Sequence, residues 1–184
     1  MHRFLHVVLG FFVASGLACG GAQAAVADSA ANGFSVVETV HIAAAPDKVW
    51  AALVTPSRWW SPAHTYSKSA TNLTLEPRAG GCWCENLPGG GSVQHMVVVR
   101  LMPNNQLVLR GPLGPLQSMG VDGAMTVVMT PADRGTDLTA TYTAGGYLKG
   151  GLDALAGPVD AVLREQFVRL RTQVETGSPE AKEH

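Results

Sequence analysis

The chain has 184 residues, 46% of them hydrophobic, with 13 basic and 14 acidic side chains and a formal charge of -1. That length suits one domain with a core large enough to enclose a cavity, and the near-neutral balance gives no electrostatic case for nucleic acid or an anionic membrane surface as a partner. A binding site in such a chain is expected to be apolar.

His2 and Arg3 form a short basic start, Phe4 to Leu17 is an apolar run too short and too glycine-interrupted for a membrane span, and Ala22-Gln23-Ala24 has the small-x-small form of a cleavage site. Residues 1–24 are therefore expected to be a signal peptide cleaved near Ala24, leaving a periplasmic or secreted protein with no integral span. Cys19 leaves lipid anchoring as an alternative, although Gly16 sits where a lipoprotein box usually has leucine. Residues 25–33 are small and polar and are expected to be a flexible linker.

Phe34, Val36, Val40 and Ile42 share one parity, which predicts a first strand, and Glu38 shares it too, as a pocket group or a glutamate at a bulge. Ala44-Ala45-Pro46-Asp47 opens a short helix with Val49, Trp50 and Leu53 inward. A second short turn carries Arg58, Trp59 and Trp60 between Pro56 and Pro62. Strands are then predicted at Leu73–Leu75, 82–85, 93–102, 106–110, 124–130 and 138–143, joined by glycine and proline turns. Gly111-Pro112-Leu113-Gly114-Pro115 reads as a stiff, non-helical loop.

From Gly151 to Thr176 the apolar residues Leu152, Leu155, Val159, Val162, Leu163, Phe167, Leu170 and Val174 recur three or four apart, the pattern of a one-faced helix. Gly157-Pro158 predicts an interruption, with a leading piece at 148–156, hinged by Gly145-Gly146 and Gly150-Gly151 as a gate, and a main helix from Pro158. Residues 177–184 are polar and expected to be a disordered tail.

Cys82-Trp83-Cys84 is the most distinctive triplet. On a strand both sulfurs face one way and Trp83 the other, with alpha-carbons about 6.5 to 7 Å apart, so a disulfide needs a local bend. Two unbonded thiols, or an open zinc or copper site with His95, are the alternatives. Glu85 shares the parity of Trp83, and His95 falls on the next strand. The two could form an acid-base pair, with a hydroxyl from Tyr142 or Tyr147. Trp59, Trp60, Trp83, Met125 and Tyr147 would suit an apolar guest, as would Leu155 and Phe167 from the closing helix. No nucleophile with an ordered base stands out, so binding is favoured over catalysis.

This order of elements, with Ala45-Pro46-Asp47-Lys48-Val49-Trp50, Arg58-Trp59-Trp60, Gly80-Gly81-Cys82-Trp83-Cys84-Glu85 and the closing helix, resembles the START-like (SRPBCC) superfamily. Within it the chain looks most like the branch of heat-shock-protein ATPase activator homologues and polyketide cyclase-like proteins. The resemblance covers residues 34–176 and implies an α+β helix-grip fold: a bent antiparallel sheet of about six to seven strands around a long C-terminal helix, with two short helices after the first strand. It also implies a hydrophobic tunnel between sheet and helix. Cys82 and Cys84 depart from the usual branch pattern, and no catalytic residue carries over by motif. The expectation is an exported protein that binds a small hydrophobic molecule, lipid-, sterol- or polyketide-like, with neither cofactor nor metal. The alternative is a cofactor-independent cyclase or hydrolase using Glu85, His95 and a tyrosine such as Tyr142. A protein-interaction module is the third reading, by analogy with the activator branch.

Overall fold

The computed structural model describes residues 23–180. The signal peptide, apart from Gln23 and Ala24, the lipidation alternative at Cys19 and the last four tail residues lie outside the described residues.

Eight strands form one antiparallel sheet: β1 (Gln23–Ala30), β2 (Gly33–Ile42), β3 (Leu73–Leu75), β4 (Cys82–Asn86), β5 (Ser92–Met102), β6 (Gln106–Arg110), β7 (Gly120–Ala132) and β8 (Gly135–Tyr147). Their spatial order is β1-β2-β8-β7-β6-β5-β4-β3, so the chain meanders from β3 to β8 and closes beside β2. Helix α1 (Pro46–Leu53) follows β2, and helix α2 (Ala156–Thr176) follows β8. The two helices pack against one another and against the sheet. Single-turn 3-10 segments at Pro56–Arg58 and Pro62–His64 flank Trp59 and Trp60.

Alternation does most of the local work. In β2, Phe34, Val36, Glu38, Val40 and Ile42 are buried, and in β8 Leu138, Ala140, Tyr142 and Ala144 answer them from the same face. Strands β7 and β6 continue the layer with Met125, Val127, Met129, Leu107 and Leu109. Helix α2 lays Ala156, Leu163, Phe167 and Leu170 onto this surface. The result is the expected helix-grip arrangement, with one more strand than the upper end of the expected range.

The extra strand comes from the residues expected to be a flexible linker. Residues 23–30 pair along β2, from Gln23 opposite Thr39 to Ala30 opposite Gly33. Their side chains from Ala25 onward are exposed, so no hydrophobic alternation marks them, and the pairing is carried by backbone hydrogen bonds alone. The register shifts between Val26 and Asp28, a bulge of the kind that bends an edge strand.

The start of the closing helix also departs from expectation. Pro158 does not interrupt α2, because it is the third residue of the first turn, where its missing N–H would have had no intrahelical partner. Only the 3-10 turn Asp153–Leu155 precedes it. Nor are Gly145 and Gly146 a hinge: they are paired within β8 to Asp122 and Val121. The expected leading piece is an irregular connection, pinned by fully buried Leu152, whose N–H donates to Ala31 O at 3.0 Å. At the other end Gly177 adopts φ 80° and donates to Gln173 O at 2.9 Å, a left-handed cap that glycine takes without Cβ strain. Residues 177–180 of the expected tail bend back, bringing Glu180 within 4.0 Å of Arg169.

Candidate functional site

Between the sheet and the first two turns of α2 lies a cavity of about 400 Å³. Leu155 at the N-cap and Pro158, Val159, Val162 and Leu163 of α2 form one wall, and Leu73, Trp83 and His95 of the sheet form the other. Two loops close the sides: 60–66, with Trp60, Thr65 and Tyr66, and 113–119, with Leu113, Leu116 and Met119. The lining is apolar apart from a few ring and hydroxyl groups, and among the described residues no lysine or arginine contributes to it.

The loop carrying the tryptophans is held down from α2. Gln166 Oε1 accepts from Ser61 N at 2.7 Å, Arg169 Nε donates to Trp59 O at 3.0 Å, and His64 Nε2 sits 3.0 Å from Glu165 Oε2. The indoles themselves are anchored, Trp59 Nε1 on Ala52 O and Trp60 Nε1 on His64 O. Trp60 packs edge-on against Trp83, with centroids 4.9 Å apart. Tyr66 spans the gap between the loops, its ring stacked near His95 at 6.0 Å and its hydroxyl donating to Gly114 O at 2.8 Å.

The polar centre is Glu85 and His95, and a bulge puts them together. Trp83 pairs with Met96 but Cys84 with Gln94, so His95 is the extra residue of β5. A residue inserted in this way breaks the alternation, and His95 and Met96 both face inward, consecutive and buried. His95 Nε2 then lies 2.9 Å from Glu85 Oε2. Glu85 is fully enclosed and also accepts from the backbone N–H of Tyr66 at 3.2 Å and Ser67 at 2.5 Å. Burial pushes its pKa upward, but the hydrogen bonds from Ser67, Tyr66 and His95 together outweigh that, and the carboxyl is held below its ordinary value. His95 is also shifted down: burial disfavours the imidazolium more than Glu85 favours it. The pair at neutral pH is an ionised carboxylate beside a neutral imidazole.

Cys82 and Cys84 are joined as a disulfide, with alpha-carbons 5.4 Å apart. They lie on the half-exposed face of β4, opposite Trp83 and Glu85. The sulfurs are bonded to one another and His95 points to the other face, so the zinc or copper arrangement of these three residues is not formed.

The cavity thus gathers Trp60, Trp83, His95 and Leu155 of the expected ligand set, with Glu85 behind His95. Trp59, Met125 and Phe167 lie deeper, around a void of about 20 Å³ in the core. Tyr142 is buried away from the cavity. Its hydroxyl accepts from Leu113 N at 3.1 Å, its pKa is pushed up to about 12 by burial, and it fits only because Gly123 has no side chain, since a Cβ there would lie 2.5 Å from that hydroxyl. Tyr147 is 76% exposed and does not line the cavity. Glu38 faces inward, but toward Asp160 of α2. Tyr66 and the 113–119 loop were missed from the sequence. The stiff loop was visible, but nothing local tells which face of the sheet it crosses, and Tyr66 is placed by a carboxylate 19 residues away.

Comparison with known proteins agrees with this architecture. A family model described as polyketide cyclase / dehydrase and lipid transport matches residues 33–175. No curated protein sequence is matched. Among solved structures, a conserved protein of unknown function, EF2215 from Enterococcus faecalis, is 15% identical with TM-score 0.58, over 88% of this chain and 82% of that one. The Aha1 dimer from Colwellia psychrerythraea is 18% identical with TM-score 0.55, over 78% and 97%. DynU16, from the dynemicin biosynthetic locus, is 20% identical with TM-score 0.57, over 79% of this chain and 48% of that one. At these identities the likeness is one of fold. With the family match spanning nearly all of the described residues, the chain belongs to the polyketide cyclase / dehydrase and lipid transport family, within the START-like superfamily.

Proposed function

We propose that this is an exported binding protein for a small hydrophobic molecule, held between the sheet and the start of α2 without a cofactor. The observation that carries the reading is the cavity of about 400 Å³, a volume within the range of small-molecule sites, with a nearly apolar lining around one buried polar pair. The family description, which includes lipid transport, supports a carrier role. The amino-terminal pattern supports export, and so does a disulfide on β4, since such bonds persist in oxidising compartments. No described helix is long and apolar enough to cross a membrane. Native mass spectrometry of the protein purified from the periplasm, with extraction of bound material, tests both parts. Recovery of a stoichiometric apolar guest from exported protein supports the reading, whereas protein retained in the cytoplasm or uniformly empty counts against it.

One feature favours the cyclase-like alternative: a neutral imidazole oriented by a buried carboxylate at 2.9 Å is the arrangement of an ordered base. A tyrosine acid does not accompany it, because Tyr142 does not line the cavity and the hydroxyl of Tyr66 donates to Gly114 O. If His95→Ala leaves every assayed turnover unchanged while binding falls, the binding role stands alone.

A further inference from the structure

The hydrogen-bonding capacity of the cavity wall is unequal. Glu85 receives two backbone N–H groups, which can only donate, so its oxygens act as acceptors and the hydrogen shared with His95 sits on Nε2. Nδ1 is then a lone pair. It makes no hydrogen bond to any described residue and is not among the sealed polar atoms that lack a partner, so it keeps accessible surface on a ring that lines the cavity.

The indole and hydroxyl donors around it are engaged or enclosed. Trp60 Nε1 donates to His64 O, Thr65 Oγ1 to Pro62 O at 2.9 Å and Tyr66 Oη to Gly114 O. Trp83 Nε1 is enclosed, away from open space. Among the described residues no lysine or arginine reaches the lining, His64 turns its Nε2 to Glu165 Oε2 at 3.0 Å, and the formal charge behind His95 is the carboxylate of Glu85. At His95 an anionic head group would meet a lone pair backed by a negative charge. A neutral group that donates would meet a fixed, otherwise idle acceptor.

The geometry points to one class of guest: a neutral, mostly apolar molecule bearing a hydroxyl, whether alcohol, phenol or enol, that donates to His95 Nδ1. This rests on the reading of the cavity as a ligand site, and it goes further by excluding fatty acids and other carboxylates. Burial keeps the imidazole neutral at pH 7, which preserves the acceptor. A volume of about 400 Å³ suits a single chain or a few-ring body rather than a two-chain lipid.

The test uses three probes that share one alkyl-aromatic body: 4-pentylphenol, 4-pentylanisole and 4-pentylbenzoate, titrated calorimetrically into the full chain at pH 7.5. Quenching of the Trp60 and Trp83 fluorescence reports the site. The phenol is expected to bind roughly tenfold tighter than the anisole, the value of one hydrogen bond, and roughly a hundredfold tighter than the benzoate. His95→Phe should bring the phenol down to the anisole's affinity while leaving the anisole nearly unchanged. His95→Gln, which offers an amide oxygen, should restore part of the preference. Phenol and anisole binding alike, or benzoate binding as tightly as phenol, would overturn the assignment while leaving the cavity as a ligand site. Should no probe bind, the ligand site itself fails, and the guest class with it. The three affinities of the unmodified protein decide the matter even if the variants do not fold.

Discussion

Replacing Glu38 by glutamine should stabilise this protein at neutral pH and do nothing in mild acid. Glu38 is 2% exposed on β2, opposite Ala140 of β8, and its side chain meets Asp160 of α2, which is paired with Arg164 at 3.2 Å. Glu38 Oε1 and Asp160 Oδ1 have no other hydrogen-bond partner, so one proton shared between the carboxyl groups satisfies both. Burial first, then the negative charge of Asp160 and a hydrogen bond to it, opposed by Arg164, push the Glu38 pKa up to about 8 from an ordinary 4.5. A raised folded value means the folded chain binds more protons than the unfolded chain between the two values. Stability therefore falls as pH rises from about 4.5 to about 8 and is flat on either side. At about 1.4 kcal/mol per pH unit, the loss is about 3 kcal/mol at pH 7 and about 5 kcal/mol above pH 8. Glutamine carries no protonation cost and donates to Asp160 as the protonated glutamate does. Glu38→Gln should thus gain roughly 3 kcal/mol at pH 7, or about 6 to 12 °C in Tm, and nothing near pH 4.5. Urea denaturation followed by tryptophan fluorescence at pH 4.5, 7 and 8.5 measures this. A gain of equal size at every pH, or a loss at pH 7, would refute the shared proton.

The remaining predictions concern the cavity. Glu85→Gln should cost about 2–4 kcal/mol, because it presents an N–H to a cluster of donors, and should speed amide exchange at Tyr66 and Ser67. Since the Glu85 pKa is depressed, its contribution is present above the ordinary carboxylate value and lost as pH falls through the folded one, so wild type and variant should converge in acid. A constant gap down to pH 2 would argue otherwise. Reducing the disulfide, or making Cys82→Ser with Cys84→Ser, should let β4 relax from 5.4 Å toward the ~6.5–7 Å spacing of an extended strand, disturb the His95 bulge and weaken 4-pentylphenol binding roughly 3- to 10-fold. Unchanged calorimetric affinity would show the disulfide and the site to be independent. Val162→Trp should fill the cavity, abolishing probe binding with Tm held or raised, and an unaltered affinity would place the guest elsewhere. Tyr147→Ala should leave affinity within twofold, because the ring is outside the site; a larger loss in the same titration would return it to the site.

The correspondence between pattern and structure follows how each residue is held. Phe34, Val36, Val40 and Ile42 alternate because one face of β2 is dry and the other wet, and that signal survives in any context. Residues 23–30 gave no such signal, since an exposed edge strand is held by its neighbour's backbone rather than by its own side chains. Pro158 read as a breaker because a string of letters does not say where a helix begins, and in the first turn the same residue is tolerated. Glu85 and His95 were legible as a pair from strand parity and a short hairpin. The bulge that makes the pairing work, and the backbone amides that keep Glu85 ionised, belong to other segments.

By itself the sequence determined the class of the fold: a meander of half-buried strands and one long one-faced helix, which must pack together because each has a single apolar surface to hide. It also determined that Cys82 and Cys84 share a face opposite Trp83 and Glu85, since strand geometry leaves no other choice. Only the tertiary structure decided which apolar residues enclose the cavity and which fill the core. Trp60 and Trp59 are adjacent in the chain, yet one lines the site and the other lies beneath it. It also decided that Tyr142 supports a loop while Tyr66 screens His95. These choices depend on how far the sheet bends and where α2 crosses it, quantities set by packing over the whole domain rather than by any local pattern.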